Sequence, residues 1–481
     1  MNLSQLKHAS LLSSSGLISA LISLVTLPIL TRIYSPKEFG IAAVCISATA
    51  IVGAVATLRY EVALVVVDNR RKAAALFFFA LFLSAASSTV LYFIVCCFPT
   101  SEVLRSATDN TQSLYLWMAL GAFFVGCYNT LTQWHVRDRL YRLQSLCVVM
   151  VAVVTNLVPI LFFILSGVSE PLFIVQGYVL GYGVASICSV VVILRMGKAP
   201  PLWFDAREYL HALREFGDFP KYSLPVIFAA VARDRGAPIV LGSLVSVEVA
   251  GAFSVIQRLL NFPVSILSQG LRPIMFNAVI EDLREAAKLQ QNVSRLLITL
   301  SIPCQIAVIA LDEAVVSAIL GVEWAPFANL VLPMMPYAIV LCLCNWLDRV
   351  YDGTERLRWA AGYEIINAVA TIIVLVTMLG MGFSAIIGVG AYSVVFFLLS
   401  LYYIQKASYI LGADSRIIIY QLSLGCLIAL AAGVLVREQV LATQSWHLEL
   451  AVLGGALIWL LISLYNASRV TDLFQDRESR K

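Results

Sequence analysis

Apolar runs of about 20 residues recur along the whole chain, separated by short segments that carry most of the charge. Runs of that length predict transmembrane helices, because a helix needs about 20 apolar residues to cross a hydrocarbon core about 30 Å thick. About fourteen spans are predicted, near 10–32, 39–58, 74–98, 113–134, 143–165, 171–194, 222–244, 249–275, 294–311, 327–347, 359–379, 383–404, 416–436 and 446–467. The first follows a serine-rich start and is too long for a signal core, so it is read as a mature helix. Composition agrees: 60% of residues are hydrophobic and 13% charged, against about 25% charged in a soluble domain. The fold class is all-α integral membrane, with no long stretch left for an aqueous domain.

An even number of spans puts both termini on one side. Sorting lysine and arginine by loop places about 25 on that side and about four, Arg32, Lys37, Arg105 and Arg437, on the other. The termini are therefore predicted to be cytoplasmic. The longest inner connection, between spans six and seven, has capping-box spacing at Asp205 and Glu208, and Tyr209, Leu213 and Phe216 at helical intervals. It reads as a short amphipathic helix on the inner membrane surface. Span counting then divides the chain into a first lobe (1–198), this linker (199–219), a second lobe (220–410) and a final helix pair with a basic tail (411–481), six spans per lobe in parallel repeat.

Local enzyme chemistry is not visible. The ten cysteines lie in or beside apolar runs without metal-ligand spacing, and the four histidines are scattered. No catalytic residue, metal or cofactor is expected.

The unusual feature is VARDRGAPIVL (231–241), charge inside a predicted span. Arg233 lies about 14 Å along span seven from Leu224, near the bilayer midplane. Arg258 reaches a similar depth on span eight, within a polar stripe of Ser254, Arg258, Asn261, Ser265, Ser268 and Arg272 at intervals of 4, 3, 4, 3 and 4. An arginine at that depth costs about 2.5–3.5 kcal/mol on insertion scales, so it is kept where it meets a partner or water. Serines alone would read as helix packing; the arginines favour a wet wall. Adjacent helical positions differ by about 100°, so Arg233 and Arg235 face one point only if the helix bends. Pro238, which cannot donate to the carbonyl of Asp234, predicts a kink there. Asp234 is available to neutralise one arginine, and Arg233, Asp234, Arg235, Arg258 and Arg272 together leave a net +3, which favours an anion. Arg59 and Glu61 at the inner end of span two read as a local ion pair or snorkelling groups, with a gate or coupling role as the sharper alternative. Glu364 is a candidate H+ or Na+ coupling site, and the plainer reading pairs it with Arg349 or Arg358.

Four stretches carry a resemblance: LPILTRIYSPKEFGIAA (27–43), TLRYEVALVVVDNRRKAAALFFFALFLS (57–84), FGDFPKYSLP (216–225) and AGAFSVIQRLLNFPVSILSQ (250–269). Over roughly residues 5–405 the chain resembles the Wzx-type polysaccharide-biosynthesis flippases of the multidrug/oligosaccharidyl-lipid/polysaccharide exporter superfamily. The resemblance implies two six-helix lobes in a V around a central cationic cavity. It also implies alternating access that moves an undecaprenyl-pyrophosphate-linked O-antigen, capsule or exopolysaccharide repeat unit from the cytoplasmic to the periplasmic leaflet of a bacterial inner membrane. The spans after about 411 exceed the usual twelve and look like the lipid II flippase arrangement, where an added pair helps form a groove for the lipid tail. The RDRG stretch is not a family signature, so its assignment rests on the physical argument.

The expected substrate-binding residues are Arg233, Arg235, Arg258, Arg272 and Asn261; Asp234, Glu364, Arg59 and Glu61 are the coupling or gate candidates. Expected partners are the lipid-linked glycan, membrane lipids and polysaccharide polymerase machinery, with no nucleic acid. A drug/cation antiporter of the same superfamily is the first alternative, disfavoured by the positive charge. A membrane polymerase or glycosyltransferase is the second, disfavoured by outer connections of about 17 residues or fewer.

Overall fold

The computed structural model describes residues 3–97, 111–201, 213–310, 313–416 and 418–424, with side chains from 14 onward except at 218, 262–270, 273, 300 and 302–315. Its elements are α1 (Leu3–Ile33), α2 (Pro36–Val55), α3 (Tyr60–Val66), α4 (Arg70–Cys97), α5 (Thr111–Arg137), α6 (Tyr141–Ser166), α7 (Pro171–Arg195), α8 (Asp218–Leu244), α9 (Val247–Glu281), α10 (Leu283–Ala310) and α11 (Glu313–Leu320). A 3-10 helix (Val322–Leu330) and α12 (Val331–Cys344), α13 (Asp348–Gly353), α14 (Leu357–Gly380) and α15 (Ala385–Leu411) follow. No strand occurs among the described residues.

Nine helical segments among the described residues are long and apolar enough to cross a membrane. They coincide with predicted spans one to six and ten to twelve. Span seven is the 27-residue α8, which is long enough but interrupted by charge. Spans eight and nine correspond to α9 and α10, 35 and 28 residues long. Most of span thirteen and all of span fourteen lie outside the described residues, as does 202–212 of the predicted linker helix.

The described residues fall into two units, one within Met1–Ile266 and Ala361–Gly388, the other within Leu267–Ala360 and Val389–Lys481. In the first, α2, α4, α5 and α7 are neighbours, as are α1, α6 and α7, and α8 packs on α2. Small residues set these spacings, because helices in lipid gain from close backbone approach. A Cβ on Gly126 would collide with Ser84 Oγ, and one on Gly40 with the carbonyl oxygen of Val247. The serines satisfy themselves on carbonyls, as Ser84 does on Phe123 at 3.1 Å. The start of α2 is locally encoded: Ser35 and Glu38 form a reciprocal capping box, with Pro36 in the first turn.

One end of this unit is tied by polar contacts between loops. Arg70 donates to the carbonyl of Lys198 at 2.9 Å and pairs with Asp138 at 3.2 Å. Its guanidinium lies 5.4 Å from the Trp134 ring, whose Nε1 donates to the same Lys198 carbonyl at 3.1 Å. Arg137 donates to the carbonyls of Leu64, Val67 and Asp68 at the end of α3. Leu213, Phe216 and Phe219 pack against the buried cluster that contains Trp134. The apolar side of this part of the linker is therefore covered by protein, where the sequence suggested a membrane surface.

In the second unit, Tyr351 is fully buried, stacked on Trp359 at 4.9 Å, and donates to the Tyr403 carbonyl at 2.8 Å.

Candidate functional site

α8 stays helical through Gly236 and Pro238, the position of the expected kink. The carbonyl of Asp234, deprived of its donor by Pro238, is approached by the side-chain amide of Gln257 from α9 at 3.5 Å. That contact, at the outer limit of a hydrogen bond, replaces the missing donor and lets the helix continue. With about 100° per residue, Arg233 and Arg235 then leave the axis about 200° apart.

Their environments differ accordingly. Arg233 is nearly buried, its side chain 12% exposed, and its Nε donates to Asp234 Oδ1 at 2.9 Å. Its Nη1 donates to Glu364 Oε1 on α14. Glu364 was expected to favour Arg349 or Arg358; the structure corrects this. Near this pair Gly236 faces the Ile372 side chain of α14, which a Cβ there would approach to 3.0 Å. Arg349 pairs instead with Asp352 at 2.7 Å. Arg233 thus serves two carboxylates and is not a spare cation.

Arg235 and Arg258 are both exposed and lie within electrostatic range of each other. Neither has an ion-pair or hydrogen-bond partner among the described residues. Arg235 is also within range of Tyr178 on α7. Two like charges held together without a counterion repel one another, and inside a membrane span they also forgo much of their hydration. An anion between them would remove both penalties.

The remaining predicted residues fall elsewhere. Asn261 is half-buried, and its Oδ1 is buried without a hydrogen bond among the described residues. Ser254 donates to the Ala250 carbonyl within its own helix, and the side chains of Ser265 and Ser268 lie outside the described ones. Arg272, in the second unit, is engaged by the Asn345 carbonyl at 3.1 Å, Asn345 Oδ1 at 3.2 Å and Asp348 at 3.2 Å. Arg59 and Glu61 form the local ion pair, 3.2 Å apart, with Glu61 buried and also accepting from Thr57. Between α2 and α3 the backbone is left-handed at Leu58 (φ 48°) and Arg59 (φ 66°), uncommon for such residues. That break lets Arg59 Nε reach Ser223 Oγ on α8 at 3.1 Å.

Sequence reasoning missed Gln257, although the orphan carbonyl created by Pro238 called for a donor. It also missed the tyrosines Tyr128, Tyr178 and Tyr182, which have the ordinary look of core aromatics.

No curated protein matches the chain. In structure it is similar to the lipid II flippase MurJ in an inward closed conformation, with a TM-score of 0.71 at 13% identity over 96% of this chain and 99% of that one. It is also similar to a mutant of the Vibrio cholerae MATE transporter VcmN, with a TM-score of 0.51 at 12% identity over 84% and 96%. A multidrug resistance MATE family transporter of the MOP superfamily in an inward-facing conformation gives 0.50 at 14% over 84% and 94%. At such identities the likeness shows the fold alone: an all-α membrane protein of the kind that MurJ and the MATE transporters share. The sequence model of the polysaccharide biosynthesis proteins matches residues 5–280, more than half of the chain, and the protein belongs to that family.

Proposed function

We propose that this protein is a flippase that carries an undecaprenyl-pyrophosphate-linked oligosaccharide across a bacterial inner membrane, with both termini cytoplasmic. The observation that carries the reading is the pair Arg235 and Arg258, two exposed guanidiniums on predicted membrane-span helices, within electrostatic range of each other and without counterions among the described residues. A pyrophosphate presents several acceptor oxygens and at least two negative charges, which complements two forked donors. Family and fold support the same class of process. Asn261, with an unengaged buried oxygen, suits a neighbouring hydroxyl donor of the substrate. Arg272, held by Asn345 and Asp348, would guide the headgroup in rather than bind it centrally.

Around Arg233 two carboxylates face one guanidinium. The surplus negative charge there is the natural place for a coupling H+ or Na+ to act, and Glu364 is the residue to carry it. Glu61, buried against Arg59 beside the backbone break, would serve as a gate contact on the first half. A cation antiporter would need the reverse balance at Arg235 and Arg258.

Arg235→Ala and Arg258→Ala in the source strain should stop polymer export while lipid-linked repeat units accumulate, as seen by mass spectrometry of extracted lipids. Polymer of altered linkage or chain length, with export intact, would instead indicate an enzyme or a polymerase partner.

A further inference from the structure

Within electrostatic range of Arg235 lies a group of tyrosines that the pyrophosphate reading leaves unused. Tyr182 is the hub: its ring centroid lies 5.0 Å from that of Tyr178, one turn away on α7, and 5.2 Å from that of Tyr128 on α5. The planes meet at 59° and 83°, so the rings present faces in different directions. Tyr178 is buried. Tyr128 and Tyr182 keep part of their surface open. All three lie within the bodies of their helices and not in the end turns, as Arg235 does on α8.

Phenylalanine or leucine would fill a packed helix interface as well without importing hydroxyls into hydrocarbon. A ring face with a hydroxyl at its edge, by contrast, matches a pyranose, which has an apolar C–H face and a rim of hydroxyls. In the lipid-linked substrate the first sugar is bonded directly to the pyrophosphate. A sugar subsite must therefore adjoin the cations that hold the phosphates, and Tyr178 lies within electrostatic range of Arg235. Resting on the reading of Arg235 and Arg258 as the pyrophosphate site, we infer that Tyr128, Tyr178 and Tyr182 form the subsite for the first sugar of the glycan, with the half-open ring of Tyr182 as its stacking surface. The arginines hold any undecaprenyl pyrophosphate, and the tyrosines distinguish a loaded carrier from a bare one.

The test uses the purified full-length protein in detergent and two probes: undecaprenyl pyrophosphate, and the undecaprenyl-pyrophosphate oligosaccharide extracted from a strain lacking this protein. Tyr182→Leu should weaken binding of the glycosylated lipid about tenfold and leave the bare lipid within about twofold, a difference too small to represent a lost contact. Tyr182→Phe should restore most of the glycosylated-lipid affinity, because the ring face remains. Arg235→Ala should weaken both probes alike. Equal losses for both probes in Tyr182→Leu, or none in either, would overturn the sugar subsite while leaving the pyrophosphate site standing. If the unaltered protein bound neither lipid, the pyrophosphate reading would fall and the subsite with it. A thermal melt of each variant separates loss of contact from loss of fold.

Discussion

Arginines at one end of the first unit and arginines in the middle of α8 and α9 are treated in opposite ways. Arg70 and Arg137 sit where loops meet, and each is consumed by the protein itself: Arg70 by Asp138, a carbonyl and an indole ring, Arg137 by three carbonyls. Arg233, deeper along its helix, is consumed by two carboxylates. Arg235 and Arg258 have no such partners among the described residues. Water is plentiful at a loop and scarce in a membrane span, so unpaired cations would be cheapest at the loops. The protein does the reverse, and on the proposed function the unpaired arginines are kept for the pyrophosphate of the passing lipid.

Changes at four places would break or sharpen this contrast. The double change Arg235→Ala and Arg258→Ala should have the largest effect, a loss of transport of about a thousandfold, equivalent to about 4 kcal/mol. It should leave the melting temperature unchanged or raised, since removing two like charges relieves repulsion. Flipping assayed in proteoliposomes with an undecaprenyl-pyrophosphate oligosaccharide checks it. Glu364→Ala should act on the fold instead, destabilising it by about 1–3 kcal/mol because the nearly buried Arg233 guanidinium loses one of its two carboxylates and keeps Asp234 alone. Chemical denaturation should show much of that loss recovered when Arg233→Leu is added, which a pair acting only in transport would not do. Arg137→Ala should cost about 1–3 kcal/mol by leaving carbonyls at the end of α3 without donors, read from the same denaturation curves. Arg70→Ala should change stability by less than about 1 kcal/mol, as expected for a pair with one largely exposed partner, and leave transport at the unaltered rate.

Much of this was legible in the sequence because lipid leaves a chain few choices. Where a helix must be long and apolar, the run of residues announces it, and the spans that correspond to α1, α2 and α4 to α7 lie within a few residues of expectation. The end of α2 was less legible: its left-handed exit at Leu58 and Arg59 is set by contacts with Glu61 and Ser223, not by any glycine. Charge inside span seven pointed to the site, and Asp234 does pair with an arginine there. What the sequence concealed is which arginine is left over. Proline at 238 leaves the carbonyl of Asp234 without its helical donor, and the amide that approaches it comes from Gln257, on another helix. The partner of Glu364 likewise lies 131 positions away, while two arginines much nearer in the chain drew attention first. Pairing across helices is a property of packing, and periodicity carries only one helix at a time.

The most direct measurement is the affinity of the purified protein for undecaprenyl pyrophosphate compared with uncharged undecaprenol, before and after Arg235→Ala and Arg258→Ala. The account predicts that the pyrophosphate lipid binds about 100-fold more tightly than the alcohol, that each substitution erodes this preference, and that the two together abolish it. Equal affinity for the two lipids in the unaltered protein, or a preference untouched by removing both guanidiniums, would contradict it.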